Sequence, residues 1–233
     1  MGEPSFWDDF IPLFSDFDLL IPELPQHGAG KAPHELHSIK EHTDAIIELI
    51  NKYNSGNNVY LMGHSLGCYL ASGINESEIS TIKTILLNPP NKFYTDNEMQ
   101  ERIQEQIKLY NEKSLSEFSQ EEVINTLKLI NDLFDEMGIE IRFSIQDITE
   151  DPKMIDLLVD IAKFNFISIL SETKYPSLLI CSENDNSIDQ NLYKKIEITN
   201  ELIQIESLED SGHPEFKDIS LITDKVSTFV NRN

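Results

Sequence analysis

Gly63-His64-Ser65-Leu66-Gly67 sets a serine between glycines two residues away on either side. The apolar run Val59-Tyr60-Leu61-Met62 precedes it and a stretch that reads as helix follows, so Ser65 is predicted to sit on a sharp strand-to-helix turn, a nucleophile elbow. Such a turn strains the backbone of its central residue, and glycines nearby keep neighbouring Cβ atoms from clashing. A lone hydroxyl is a poor nucleophile. It needs a base and an acid that orients the base, and after an elbow these follow in the order Ser, Asp or Glu, His. Leu178-Leu179-Ile180-Cys181 reads as a short buried parallel strand, and Ser182-Glu183-Asn184-Asp185-Asn186 leaves its carboxyl end, where open α/β sheets place functional loops. Asp185 is the predicted acid, with Glu183 and Asp189 as alternatives within four residues of it. Another apolar run, Leu202-Ile203-Gln204-Ile205, leads to Leu208-Glu209-Asp210-Ser211-Gly212-His213-Pro214, a loop ahead of a predicted C-terminal helix over 218–230. His213 is the predicted base; Asp210 lies too close in sequence to orient it. The chemistry of this set is acyl transfer to water: Ser65 attacks a carbonyl, His213 shuttles the proton and Asp185 holds the imidazole tautomer, while the backbone N–H of Leu66 faces the developing oxyanion.

The elements that must position these residues alternate between strand and helix. A helix is predicted over 35–53, with apolar positions Ile39, Ala45, Ile46, Leu49 and Ile50, then the breaker run Asn54-Ser55-Gly56-Asn57-Asn58 and the elbow strand. The nucleophile helix is predicted over 66–73, with Gly67, Ala71 and Ser72 allowing close approach to the sheet, and the next strand over 82–87, ended by Asn88-Pro89-Pro90. Helices between strands imply right-handed crossovers and a mostly parallel sheet. Between 91 and 175 the pattern becomes helix after helix, predicted over 96–112, 119–137 and 151–170. Leu127, Ile130, Leu133, Phe134, Met137, Ile141, Phe143, Phe164 and Phe166 could line a pocket there, although apolar residues at helical spacing are more commonly core.

Together the elbow, the acid turn and the histidine turn resemble the α/β-hydrolase superfamily, along nearly the whole chain. The segment from Phe17 to Gly28 resembles that family's strand ending in a D-L-P-G-H-G turn, with Glu23 and Gln26 departing from the usual Asp and Gly. Ser182-Glu183-Asn184-Asp185 resembles the G-x-x-D acid turn, with Ser182 in place of Gly, and Ser211-Gly212-His213 resembles the histidine turn. The resemblance implies an α/β-hydrolase fold in three segments: core over 1–90, a helical cap or lid over 91–175, and core again over 176–233. It implies a serine hydrolase acting on a carboxylic ester or thioester with a hydrophobic acyl part. A non-hydrolytic binding module that keeps the elbow for shape, and an acyltransferase or lyase on the same fold, are the competing readings.

Composition narrows the partners. With 41 acidic against 18 basic side chains the formal net charge is −23, which repels nucleic acid and anionic membrane surfaces at long range and counts against coenzyme A thioesters. The expected partner remains the small-molecule ester or thioester that the triad and the resemblance imply, with no cofactor, and the charge adds that nucleic acid and membrane are not expected. No apolar stretch approaches 18 residues and the first ten residues are acidic, so the expected location is cytoplasmic. Cys68 and Cys181 are the two cysteines, both in segments expected to be buried and reduced. His34, His37 and His42 superficially suggest metal, but zinc sites favour an i, i+4 pair or cysteine partners, so no metal is expected.

The resemblance also carries an expected gap. Met1 to Trp7 looks like the tail of an H-G-x-G loop, with Met1 at the position of the second oxyanion donor and the strand ahead of it missing. In the family that strand lies between the 17–23 strand and the elbow strand, and its loss would leave backbone groups unpaired. Three outcomes follow: a longer native protein, a strand supplied by a partner chain or by self-association, or direct pairing of 17–23 with the elbow strand. The expectation is a truncated or partner-completed sheet with weak or conditional activity.

Overall fold

Among the described residues, the apolar runs become one four-stranded parallel sheet in the order β1 (Val59–His64), β2 (Thr81–Leu87), β3 (Ser177–Ser182), β4 (Ile203–Leu208). The structure is a computed structural model that describes residues 4–24, 38–75, 79–91, 97–113, 117–136, 144–146, 160–161, 163–164, 166–213 and 216–232. Because all pairings are parallel, the carboxyl ends of the strands share one edge: His64 lies opposite Leu87, and Ser182 opposite Leu208. Hydrogen bonds extend the ladder past the strand ends, from Ser65 N–H to the Leu87 carbonyl (3.1 Å), Asn88 N–H to Ile180 (2.8 Å) and Glu183 N–H to Leu208 (2.9 Å). The three loops that carry the candidate residues thus emerge from one rigid rim.

Helices cover both faces of the sheet, and the strand period of two decides which side chain serves which layer. In β3, Leu179 and Cys181 enter a core shared with α1 (Ile39–Tyr53), α2 (Leu66–Asn75), α5 (Phe166–Glu172) and α6 (Gln190–Thr199). Leu178 and Ile180 enter a second core with α7 (Ile219–Asn231) and the N-terminal aromatic residues Phe6, Trp7 and Phe10. Covered on both faces, the strand is apolar at its four central positions, which is why this run carries no alternation, and its buried end residues Ser177 and Ser182 are hydrogen-bonded. Burying each of Leu178, Leu179 and Ile180 fully stabilises the fold by about 2 kcal/mol. On the second face, Lys83 of β2 donates to the carbonyls of Phe229 and Val230 (2.7 and 3.0 Å), satisfying the acceptors that α7 leaves at its end.

Several predicted elements move. Helix α1 begins after Ser38, where a capping box closes the N-terminus: Ser38 accepts from Glu41 N–H and Glu41 accepts from Ser38 N–H. Residues 35–37 lie outside the described residues. Asp160 also accepts from Ile39 N–H (2.6 Å), so a segment far along the chain helps to set this start.

Over 17–23 no strand forms. Pro22 has no N–H to donate, Phe17, Leu19 and Leu20 are exposed, and the described partner of β1 is β2. Apolar content alone does not make a strand without a ladder to join. The third predicted outcome, direct pairing of 17–23 with the elbow strand, is therefore not what the structure has.

Between β2 and β3, helices α3 (Asn97–Glu112) and α4 (Gln120–Glu136) pack through Met99, Ile103 and Leu129, and a buried Gln106–Thr126 hydrogen bond of 2.6 Å joins them. The helix predicted over 151–170 is interrupted. Asp160, Ile161 and Lys163 are helical, Phe164 is not, and α5 starts at Phe166. Tyr69 explains the break, since its ring meets those of Phe164 (5.8 Å) and Phe166 (4.7 Å) together. Residues two apart on a continuous helix do not face the same way.

Ile130, Phe134 and Phe166 are buried, and Leu133 packs with the Met99 cluster. Those members of the predicted pocket set are core. Met137, Ile141 and Phe143 lie outside the described residues.

Candidate active site

Ser65 stands at the junction of β1 and α2 with φ of 52°, in the left-handed region. For a residue with a Cβ this costs about 1–3 kcal/mol, and it persists because both flanking elements are fixed. Gly63 is what the turn demands: a Cβ there would run into the Gly67 carbonyl and the Cys68 N. Gly67 differs, since a Cβ on it would meet no described atom within 4 Å. The close approach thus rests on one glycine of the pair, because the chain folds back over Gly63.

The structure brings Ser65, Asp185 and His213 together. Ser65 Oγ lies 2.8 Å from His213 Nε2, and His213 Nδ1 lies 2.7 Å from Asp185 Oδ2. A carboxylate can only accept, so Nδ1 carries the proton and Nε2 is left to take the serine's. Asp185 and His213 are both buried.

The two alternative acids have different surroundings. Glu183 is exposed, and Asp189 is the N-cap of α6, accepting from Asn191 N–H at 2.9 Å. Leu66, the predicted oxyanion donor, is the first residue of α2, where a backbone N–H has no partner within its own helix. Met1, the other predicted donor, lies outside the described residues.

Ser187 is a neighbour that motif reading missed. Its N–H and Oγ both donate to Asp185 Oδ1, at 2.8 and 2.5 Å, and its Oγ lies 3.1 Å from His213 Nδ1. The carboxylate therefore has one oxygen held by Ser187 and the other by His213. The available signal was the spacing Asp185-Asn186-Ser187, since an aspartate side chain commonly accepts from the backbone two residues on.

His64 packs beside the elbow, stacked on Phe6 (centroids 4.6 Å apart), and its Nε2 donates to the His213 carbonyl at 2.9 Å. Burial, reinforced by the nearby His213, pushes the His64 imidazole down to about 4 from 6.5. Between those values the unfolded chain binds a proton that the native state refuses, so stability falls as pH drops through this window. The full effect is about 3 kcal/mol, of which about 2 kcal/mol is lost by pH 5. Urea unfolding should accordingly show the wild type losing about 2 kcal/mol more than His64→Gln between pH 7 and pH 5. Equal losses in the two proteins would contradict the depressed, neutral His64 imidazole.

Neither cysteine competes as nucleophile. Both are free and buried, and burial pushes the Cys68 thiol up and that of Cys181 up to about 12. Of the three histidines considered for metal, His34 and His37 lie outside the described residues, while His42 is buried in α1 with Nδ1 2.8 Å from the Ser38 carbonyl. Among the described residues no group of three or more His, Cys, Asp or Glu could hold a metal ion.

A four-stranded parallel sheet covered by helices on both faces, with a strained serine at a strand-to-helix turn, is an α/β-hydrolase fold. The chain matches the profile of the alpha/beta hydrolase family over residues 2–218 and belongs to that family. An esterase from Thermogutta terrifontis, solved with malate bound, superposes with a TM-score of 0.65 at 15% identity, covering 98% of this chain and 85% of its own. A lipase-esterase related protein from Clostridium acetobutylicum gives 0.65 at 14% identity, over 98% and 90%. MenH from S. aureus gives 0.61 at 17% identity, over 98% and 89%. At such identities the likeness is one of fold. No curated protein sequence matches the chain significantly. Among the described residues no helix is long and apolar enough to cross a membrane.

Proposed function

We propose that this protein is a serine hydrolase that cleaves a carboxylic ester or thioester through an acyl-enzyme on Ser65. The observation that carries the reading is the continuous hydrogen-bonded line from Ser65 Oγ through both His213 nitrogens to Asp185. In this reading Ser65 Oγ attacks the carbonyl carbon as its proton passes to His213 Nε2. The imidazolium then protonates the leaving alcohol or thiol, and Asp185 stabilises it without taking the proton. Water, deprotonated by His213, attacks the acyl carbon, and the imidazolium returns that proton to Ser65 Oγ as the carboxylic acid leaves. The Leu66 N–H supports the oxyanion of each tetrahedral intermediate, with Met1 assigned the second donor by family resemblance.

The segments 1–90 and 176–233 form the hydrolase core in this reading, and 91–175 a cap that roofs Ser65 and shapes an apolar acyl site. Two cationic side chains of that segment are paired with acids: Arg102 with Asp132 at 2.7 Å and Lys113 with Glu122 at 2.6 Å. They add little attraction for a polyanion to a chain of net charge −23. Two free, buried thiols suit a reducing cytoplasm. The reading also includes a strand added along the edge of β1 by a partner chain or second copy, since the described sheet ends there.

A panel of p-nitrophenyl esters and acyl-coenzyme A thioesters, run beside labelling with a serine-directed phosphonate, tests the proposal. Medium, uncharged acyl esters should be cleaved faster than acetyl esters and faster than the thioesters, and the label should fall on Ser65. Absence of both turnover and labelling would refute it.

A further inference from the structure

Asn88 was legible in the sequence only as the end of a strand. In the structure it is fully buried at the end of β2, with φ of 47°, a left-handed conformation that asparagine tolerates better than most residues. Its carboxamide makes contacts in two directions. Toward the acid turn, Oδ1 accepts from Ser182 N–H at 2.7 Å and Nδ2 donates to Ser182 Oγ at 2.9 Å. Toward the histidine loop, Nδ2 donates to the carbonyls of Gly212 (2.9 Å) and His213 (3.2 Å). The amide orientation is fixed by this chemistry, since a backbone N–H can only donate and a carbonyl can only accept. With two protons for three acceptors, one proton goes to Ser182 Oγ and the other is shared between the two carbonyls.

The segment holding Asn88 is itself clamped. Buried Tyr69 and Tyr193 donate to the carbonyls of Pro90 (2.7 Å) and Pro89 (2.8 Å), and Asn91 N–H donates to the Ser187 carbonyl at 3.0 Å. The prolines have fixed φ and no donor to satisfy. Asn88 is thus a rigid bracket whose two arms end on the two loops that carry Asp185 and His213. The Asp185 turn closes back onto the same bracket, through its N–H to the Ser182 carbonyl at 3.2 Å.

We propose that Asn88 is a positioning residue for the Asp185–His213 pair, holding the acid turn and the base loop in one register from beneath the sheet rim. This rests on the reading of that pair as part of a catalytic triad. Displacements of about 1 Å in such a set cost on the order of 10²-fold in rate, so the bracket acts on kcat and not on substrate binding.

Two variants separate the arms. Asn88→Gly removes the carboxamide and tolerates the positive φ, while Asn88→Asp keeps the acceptor toward Ser182 N–H but sets a carboxylate against the Gly212 and His213 carbonyls. For both, kcat on the preferred p-nitrophenyl ester should fall on the order of 10- to 100-fold with KM within about twofold of wild type. The far-downfield proton resonance of His213 Nδ1–H, hydrogen-bonded to Asp185, should broaden or vanish in protein whose thermal melt is still cooperative. A wild-type kcat and resonance in Asn88→Gly would overturn the proposal. So would variants that fail to fold at all, or that melt earlier while the folded fraction keeps its rate, because Asn88 would then serve the fold alone. The resonance needs no substrate. Failure of wild type to hydrolyse any ester or thioester and to take the phosphonate label, while the resonance is present and Asn88-dependent, would overturn the hydrolase reading and leave the bracket standing.

Discussion

Ser65→Ala is expected to abolish ester hydrolysis and phosphonate labelling, with a loss on the order of 10⁶ in kcat. The size follows from the mechanism: without Oγ no acyl-enzyme forms, and what is left is whatever the oxyanion donors and substrate binding can do for attack by water. The fold should survive. Ser65 is partly exposed, its Oγ contact is with His213 at the open side of the rim, and alanine meets the same strain as serine at φ of 52°. A thermal midpoint within a few degrees of wild type should accompany the loss of activity. Persistent labelling at another serine, or hydrolysis that survives the substitution, would remove Ser65 from the proposed mechanism.

Asp185→Asn should cost on the order of 10³ to 10⁴ in kcat while Asp189→Asn leaves it near wild type. An amide at 185 can turn its N–H₂ toward His213 Nδ1, which drives the imidazole proton to Nε2, the nitrogen that must accept from Ser65. The loss is smaller than for Ser65 because nucleophile and oxyanion donor remain in place. Asp189 lies four residues on, but its side chain caps α6, and asparagine caps helices about as well as aspartate. Steady-state kinetics on the two purified variants decides between them. The reverse pattern, collapse at 189 with little change at 185, would move the acid and contradict the geometry around His213.

The architecture was legible wherever local pattern and tertiary demand agree. Leu178-Leu179-Ile180-Cys181 had to be a doubly covered strand because nothing in it could face water, and β3 contains it, one residue longer at each end. Over 17–23 that reasoning failed, because a strand exists only where another backbone offers donors and acceptors, and a partner is not written in the segment itself. The helix break at Phe164 failed for a related reason: Tyr69, nearly a hundred residues earlier, sets the orientation of both phenylalanines.

What the sequence by itself determined is the chemistry on offer: a serine with Gly63 before it, acids after one apolar run, a histidine after another, and a charge balance unsuited to polyanionic partners. Those are local facts, since residue types and short spacings set what a turn can expose and what a group can donate or accept. Tertiary structure alone decided which acid meets His213, for Glu183, Asp185 and Asp189 share one loop and differ only in where the loop's turns point them. It also recruited His64 and Asn88, whose partners are chosen across strands, and set Ser187 Oγ beside His213 Nδ1. A parallel sheet aligns strand ends that are far apart in sequence, and hydrogen bonds of a few ångströms then form between groups that no spacing along the chain relates.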